Sequence, residues 1–456
     1  MKDSVKIVLV GAGSREFSRS MIHDLVLERA LLEARGVEVR MVDIDPAGLA
    51  LMHGYARRAA EAAGARITFT ATTERERAFE GADFVLISVA VKRMELWEQD
   101  FRVPLSFGAP HVYGENGGPG AAFHALRNLK IIMPICRDIE RLCPQAWVLN
   151  FTNPEARILT AILTLTRLRA AGLCHGFHSF QRLTARVLDR PLAGLDVRTA
   201  GMNHFYTFYR IAERGTGRDL VPEFTRRLDK DELEPVVRYL WQTYGALGYG
   251  SDRHVGEYLR FADGFADRRW EFGIEHRKVD PAEQGVDGRE VFEAWRHKLD
   301  VATYRARGIA AAERDELTGA TPLRRGDIQA SGELAVPVIA DIVLNRGALR
   351  EAVNVLNTEG FIENLDREGC IEVPATVDAR GLHPDRVGRL PEGFAALVRH
   401  QQSVQRMVVK AYAEKSRKVL LQALLMDPAS PPGAADTERM MDTLLDLQAA
   451  YLPEIG

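Results

Sequence analysis

Apolar and polar positions along the N-terminal half of the chain alternate between two periods. Residues 5–10 form an apolar run broken only by Lys6, the pattern of a strand buried on both faces. Over residues 18–34 the apolar positions return at helical spacing. Strand patterns recur at 37–42, 67–70, 84–89 and 147–151, and helical patterns at 46–63 and 121–142. Strands alternating with helices in this way predict a parallel sheet with right-handed crossovers.

From about residue 197 the pattern changes. Residues 197–210 read as a strand, 220–244 as a charged helix, and 262–325 as charged surface helices. A helix over 336–344 and strands over 350–357 and 371–375 follow. From 391 onward long amphipathic helices are expected, with Val404, Met407, Val408, Ala411 and Tyr412 on one apolar face. The expected fold is α/β: an N-terminal Rossmann-like parallel sheet in residues 1–195, then a C-terminal mixed α/β and helical lobe in 196–456. The lobe would close the substrate cleft, and the apolar tail faces suggest a homodimer or homotetramer.

Composition narrows the class. The 456 residues are 46% hydrophobic with a net charge of −3. Such a balance gives no footprint for nucleic acid, and no basic run points to an anionic membrane surface. No apolar stretch reaches the ~20 residues that span a bilayer, and no signal-peptide pattern opens the chain. Cys136, Cys143, Cys174 and Cys370 are too scattered for a disulfide framework. A cytoplasmic enzyme is the expectation.

Candidate chemistry begins at the first turn. Gly11-Ala12-Gly13-Ser14 links the first strand to the first helix. Such a turn aims backbone N–H groups and the positive helix end at a pyrophosphate. Gly11 supplies the turn and Gly13 the close approach, but Glu16 stands where the usual third glycine would be. Asp43, closing the second strand, is placed to hold ribose hydroxyls, which favours NAD over NADP. Lys92 and Arg93 follow another strand end, where ligands collect. Four glycines within 114–120 suit a loop that packs its backbone against a ligand. Asn150 and Asn153 flank a further strand end, where amides can bond sugar hydroxyls or a nicotinamide.

Two segments then gather metal-ligating types: Cys174-His175-Gly176-Phe177-His178, and Gly201-Met202-Asn203-His204 about thirty residues on. A polar loop, Gly248-Tyr249-Gly250-Ser251-Asp252-Arg253-His254, is too rich in titratable groups for a linker.

In order and spacing these motifs resemble the family 4 glycoside hydrolases, the NAD- and metal-dependent glycosidases. The resemblance also takes in Asn150-Phe151-Thr152-Asn153-Pro154, Val373-Pro374-Ala375-Thr376-Val377-Asp378 and Gly381-Leu382-His383-Pro384, and covers almost the whole chain. It implies redox-assisted elimination: C3 hydride transfer to NAD, C2 deprotonation beside a divalent metal, usually Mn²⁺, loss of the C1 substituent, then addition of water and hydride return. Carried over, Cys174 and His204 are the metal ligands, and His175 is the acid for the leaving group. Asp252 is the C2 base, ahead of Tyr249, which some relatives use. Gly11, Gly13, Ser14, Asp43 and Asn153 bind the cofactor, and Arg93, Asn150, Asn203 and Arg253 the sugar.

Relatives acting on 6-phosphosugars carry Asp or Asn after the cysteine, whereas His175 stands here. Cys174-His175-Gly176-Phe177 is similar to the subgroup acting on α-galacturonides. The sugar carboxylate of such a substrate calls for a cation, with Arg93, Arg253 and Lys92 as candidates. α-Galacturonidase is therefore the expected activity, ahead of α-glucuronidase and neutral α-galactosidase or α-glucosidase. The sheet also resembles lactate/malate dehydrogenases, which leaves a net NAD-dependent dehydrogenase of a hydroxy acid or sugar as the rival class. A non-enzymatic NAD sensor is the third reading.

Overall fold

A computed structural model describes residues 4–110, 113–265, 269–270, 277–278 and 311–456. Strand β1 (Ser4–Val10) divides its side chains between the two faces of a sheet, Ile7 and Leu9 to one core and Val8 and Val10 to the other. The expected first helix is two, α1 (Arg15–Leu27) and α2 (Arg29–Ala34), separated at Glu28, whose φ of −78° and ψ of 71° leave the helical region. After β2 (Gly36–Val42), helix α3 (Pro46–Ala63) runs between strong punctuation marks. The Asp45 carboxylate accepts from Ala47 N, Pro46 stands in the first turn, and Gly64 closes it at φ +62°. There follow β3 (Ile67–Thr72), α4 (Arg75–Phe79), β4 (Phe84–Ile87), α5 (Arg93–Ser106), α6 (Gly118–Leu142), β5 (Trp147–Asn150), α7 (Glu155–Leu165), β6 (Arg169–Gly172) and α8 (His178–Leu188). These six strands lie parallel in the order β3-β2-β1-β4-β5-β6, the doubly wound arrangement.

The strand expected over 197–210 is a hairpin of β7 (Leu195–Met202) and β8 (Phe205–Glu213), turning at Asn203-His204. The expected helix over 220–244 is likewise two, α9 (Val221–Arg227) and α10 (Pro235–Tyr244), with Pro235 opening the second. Then come α11 (Asp252–Gly256) and a ribbon of β9 (Arg269–Trp270) with β10 (Arg277–Lys278). Of the charged stretch 262–325, residues 266–268, 271–276 and 279–310 lie outside the described residues; beyond them stands α12 (Ala311–Thr318). The chain ends with α13 (Ala335–Leu344), β11 (Ala348–Leu356), β12 (Cys370–Asp378), β13 (Gly381–Pro384), α14 (Glu392–Glu414), α15 (Arg417–Met426) and α16 (Ala434–Leu447).

Both halves share one sheet of eleven strands. Antiparallel β11, β12, β7 and β8 continue from β6, and β13 pairs with β12. The tail helices pack on α5 and α6 in a third core, where Val408, Leu420 and Met440 meet Phe123 and Leu126. Val404, Val408 and Ala411 are thus buried inside the chain, so the face that suggested an oligomer is already covered. All four cysteines are unpaired. No helix among the described residues is long and apolar enough to cross a membrane.

Candidate functional site

Parallel strands put their carboxyl ends on one edge, and the glycine turn lies there. Gly11 N and Ala12 N both donate to Val42 O, at 2.9 and 3.0 Å. Gly11 has φ +89°, and a Cβ on it would fall 1.9 Å from Ser88 O, so only glycine fits between the β1 and β4 ends. Gly13 N donates to Asp43 Oδ2 at 2.7 Å, and Asp45 N to Asp43 Oδ1 at 2.9 Å. Asp43 therefore shapes the turn, and each of its oxygens keeps a lone pair for a ribose hydroxyl. Ser14 precedes α1 without a side-chain cap, so first-turn N–H groups are left for an anion. This arrangement fits a dinucleotide.

On the same edge, Leu173 N donates to Asn150 O at 3.0 Å and carries the chain from β6 into Cys174. The β7–β8 turn brings His204 to it, with Cys174 Sγ 3.4 Å from His204 Nε2. His204 sits at φ +61°, a left-handed conformation that costs a non-glycine residue of order 1 kcal/mol or more and concentrates at functional sites. Its Nδ1 is buried with no hydrogen-bond partner among the described residues. Burial pushes the His204 imidazole well below its ordinary pKa, so the ring is neutral, the form that ligates metal. Burial, reinforced by Glu372, pushes the Cys174 thiol up. A divalent cation would pull it back down by supplying the missing positive charge. Sulfur and nitrogen 3.4 Å apart are close enough to share one ion. The pair fits a metal.

The α11 region closes over this pair. The Tyr249 ring lies 5.1 Å from His204 and 4.7 Å from His254, and His254 stacks on His204 at 4.7 Å. A Cβ on Gly176 would come within 2.5 Å of Tyr249 Cε2, so that glycine lets the tyrosine rest against the backbone beside Cys174. Burial pushes the Tyr249 hydroxyl up and holds His254 down at about 4. Asp252 faces elsewhere. Its Oδ1 accepts from Val237 N at 2.9 Å and caps α10, while Asp252 N donates to Glu234 Oε2 at 2.5 Å.

Sequence reasoning missed several acidic groups here. Glu257 is fully buried, and its Oε2 accepts from the backbone N–H groups of Glu115, Asn116 and Gly117 at 2.6, 2.6 and 3.1 Å. The glycine-rich loop does wrap an acidic group, but that group is the Glu257 carboxyl of the chain itself. A Cβ on Gly117 would fall 2.5 Å from Glu257 O. One ligand atom each of His204, His254 and Glu257 lies within 4.8 Å of the others. The spacing of three between His254, on α11, and Glu257, just past its end, was the available signal. Glu115 holds Arg93 at 2.8 Å and accepts from Asn153 Nδ2 at 3.4 Å. Arg93 also lies over the Trp97 ring, and Arg253 over Tyr113 at 5.9 Å.

Two sugar-binding candidates are engaged inside the protein. Asn150 is fully buried and bonds the backbone of Thr152 through both ends of its amide, each at 3.1 Å. Asn203 Nδ2 donates to Glu372 Oε2 at 2.9 Å, where Asn354 joins at 3.2 Å. Burial raises Glu372 to about 7. Nearby Glu155 is buried against β6, and a Cβ on Gly172 would fall 1.4 Å from its Oε1. Gly172→Ala is expected to destabilise by about 1–3 kcal/mol through overpacking. Gly194→Ala, with nothing within 4 Å of its Cβ, is expected to be near neutral. Chemical denaturation of the two variants checks the contrast. His175 is exposed, and its Nδ1 meets Glu333 Oε1 at 2.7 Å.

Comparison with known proteins gives a consistent result. Residues 6–190 match the model of the family 4 glycosyl hydrolases, and residues 199–430 match that of their C-terminal domain. The chain is 29% identical to an alpha-glucosidase of Erwinia rhapontici, aligned over 98% of this chain and 99% of that protein. It is 27% identical to an alpha-galactosidase of Bacillus subtilis (98% and 99% covered) and 27% identical to an alpha-galacturonidase of the same organism (97% of each). Among solved structures, a 6-phospho-alpha-glucosidase from gut microorganisms, in complex with NAD and Mn²⁺, superposes with a TM-score of 0.77 at 20% identity, covering 99% of this chain and 100% of that one. A malate dehydrogenase of Plasmodium falciparum shares the fold at a TM-score of 0.51 and 13% identity, with 91% and 99% covered.

Proposed function

Since the chain belongs to glycosyl hydrolase family 4 and is a glycosidase, we propose that it cleaves α-linked galacturonides with NAD and a divalent metal, Mn²⁺ foremost. The observation that carries the chemistry is the Cys174–His204 pair, 3.4 Å apart on the same sheet edge as the glycine turn. Gly11, Gly13, Ser14 and Asp43 would seat the dinucleotide, with Asn153 beside it, and Cys174 and His204 would hold the metal. When bound, NAD accepts and returns the C3 hydride, and the metal offsets the negative charge created at C2.

Tyr249 is the better placed base. Its ring stands against His204, while the Asp252 carboxylate is spent on the α10 terminus. A cation held by Cys174 and His204 would also oppose the burial that raises the Tyr249 hydroxyl. His175 gives a proton to the departing oxygen. We divide the chain at 195/196, with the dinucleotide half before that point and the lobe that carries Tyr249 and His204 after it. Four unpaired cysteines support a reducing, cytoplasmic setting.

Support for the uronide comes from Cys174-His175-Gly176-Phe177 and from two arginines, Arg93 over the Trp97 ring and Arg253 over the Tyr113 ring. A guanidinium is the natural partner of a sugar carboxylate. A second reading, a neutral α-hexoside, is favoured by one observation: Arg93 is already paired with Glu115 at 2.8 Å. Sugar release from matched α-galacturonide and α-galactoside substrates separates them, with NAD⁺, Mn²⁺ and thiol omitted in turn. Uronide cleavage that needs both cofactors, without net NADH, is the expected result. Cleavage of the galactoside alone would keep the mechanism and replace the substrate. NADH accumulating without cleavage would overturn the glycosidase chemistry in favour of a dehydrogenase.

A further inference from the structure

Glu333 reaches the site from a strap, residues 328–333, that leads into α13. Its Oε1 lies 2.7 Å from His175 Nδ1. The two partners differ in freedom: the imidazole is 68% exposed and the carboxylate only 17%. An exposed histidine samples several rotamers, so a fixed anchor decides which nitrogen faces the substrate.

The strap is tied down along its length. Ser331 N donates to Asp24 Oδ1 at 2.8 Å, the Ser331 hydroxyl donates to Asp24 Oδ2, and Glu333 N donates to Ser331 Oγ at 3.0 Å. Gln329 bonds His23 Nδ1, so both α1 residues hold the strap. Gly332, at φ +85°, places its carbonyl 3.1 Å from His178 Nε2. Gln329, Ser331, Gly332 and Glu333 are thus each hydrogen-bonded to α1, to the 175–178 segment or to the strap itself.

We propose that Glu333 is the positioning residue of His175: it fixes the ring through Nδ1 and leaves Nε2 as the nitrogen offered to the leaving-group oxygen. A carboxylate can only accept, so Nδ1 keeps its hydrogen throughout. Carboxylates that accept from the outer N–H of a metal-bound histidine orient its ring in the same way. In the step served, the base takes the C2 proton and the C2 electron pair becomes the C1=C2 bond. The C1–O pair leaves on oxygen, which takes the Nε2 proton. His175 regains that proton from the water that later adds at C1. The role is one of orientation, and it rests on the reading of His175 as the acid.

The test compares two leaving groups, a methyl glycoside, whose alkoxide needs a proton, and a nitrophenyl glycoside, whose phenolate departs without one. Glu333→Ala is expected to lower kcat on the methyl glycoside by about 10–100-fold, the usual cost of losing such a partner, with KM little changed and the nitrophenyl rate kept. Glu333→Gln, which retains an acceptor oxygen, should restore most of the loss. Ser331→Ala, which loosens the strap and keeps Glu333, should show the same pattern more weakly and covers the case in which Glu333→Ala does not fold. His175→Gln is run alongside. Should it show the leaving-group pattern while Glu333→Ala slows both substrates equally, or neither, the positioning role is wrong and His175 stands as the acid. If His175→Gln shows no leaving-group dependence, the acid assignment fails and the inference falls with it.

Discussion

Tyr249→Phe is expected to lower kcat by on the order of 10²–10⁴, the contribution of a positioned proton acceptor. The change deletes one oxygen. The ring keeps its contacts with His204, His254 and the Gly176 backbone, so folding and cofactor binding should survive. Solvent deuterium washing into the sugar at C2 reports the step directly and should vanish in the variant. Asp252→Asn supplies the contrast. It keeps an oxygen that can accept from Val237 N, so both C2 exchange and the thermal midpoint should change little. A collapse of C2 exchange in Asp252→Asn, with exchange intact in Tyr249→Phe, would return the base role to the aspartate.

The second large effect concerns Cys174. Cys174→Ser keeps nearly the same shape but replaces a thiolate-forming group with a hydroxyl that stays protonated near neutral pH. Loss of one pre-placed electrostatic partner of the reacting anion typically costs on the order of 10²–10³ in kcat, and loss of a ligand should move the Mn²⁺ titration as well. Both are expected, with NAD affinity unchanged because the glycine turn lies on other strands. Equilibrium dialysis with Mn²⁺ and fluorescence titration with NADH make the comparison. Unaltered Mn²⁺ affinity in the variant would remove Cys174 from the metal site and turn attention to His204, His254 and Glu257, whose ligand atoms lie within 4.8 Å of one another.

Much of the dinucleotide half could be read from the sequence because a strand buried on both faces leaves a nearly continuous apolar run, broken only by Lys6 in β1 and unbroken in β4. Cys174 and His204 were also legible, since their residue types carry chemistry wherever the fold takes them. The hairpin between β7 and β8 was not. Its turn contains no glycine, and His204 takes the left-handed conformation that sequence rules reserve for glycine or asparagine. The break between α9 and α10 was signalled by Pro235 but hidden by continuing helical spacing. Asn150 and Asn203 were legible as amides at strand ends, yet which partner an amide finds depends on backbone that arrives from elsewhere. Glu333 offered no signal, for it meets His175 across 158 positions of chain. Glu257 was hidden for a related reason: glycine loops are read as seats for ligands, and here a side chain from the same chain takes the seat.

The shared sheet has a consequence for modularity. Sequence patterns divide the chain near residue 195, but the hydrogen-bond ladder does not stop there, because β6 passes to β11 at Gly172 and Asn354, and β12 to β7 at Glu372 and Gly201. A fragment ending at the sequence boundary would leave β6 as a bare edge, a template for pairing with other chains, and would lack the α14–α16 cover over α5 and α6. The dinucleotide half is therefore not a portable cassette. Swapping lobes between relatives would have to preserve this seam, with Asn203, Asn354 and Glu372 travelling together, before any exchange of substrate preference could be read.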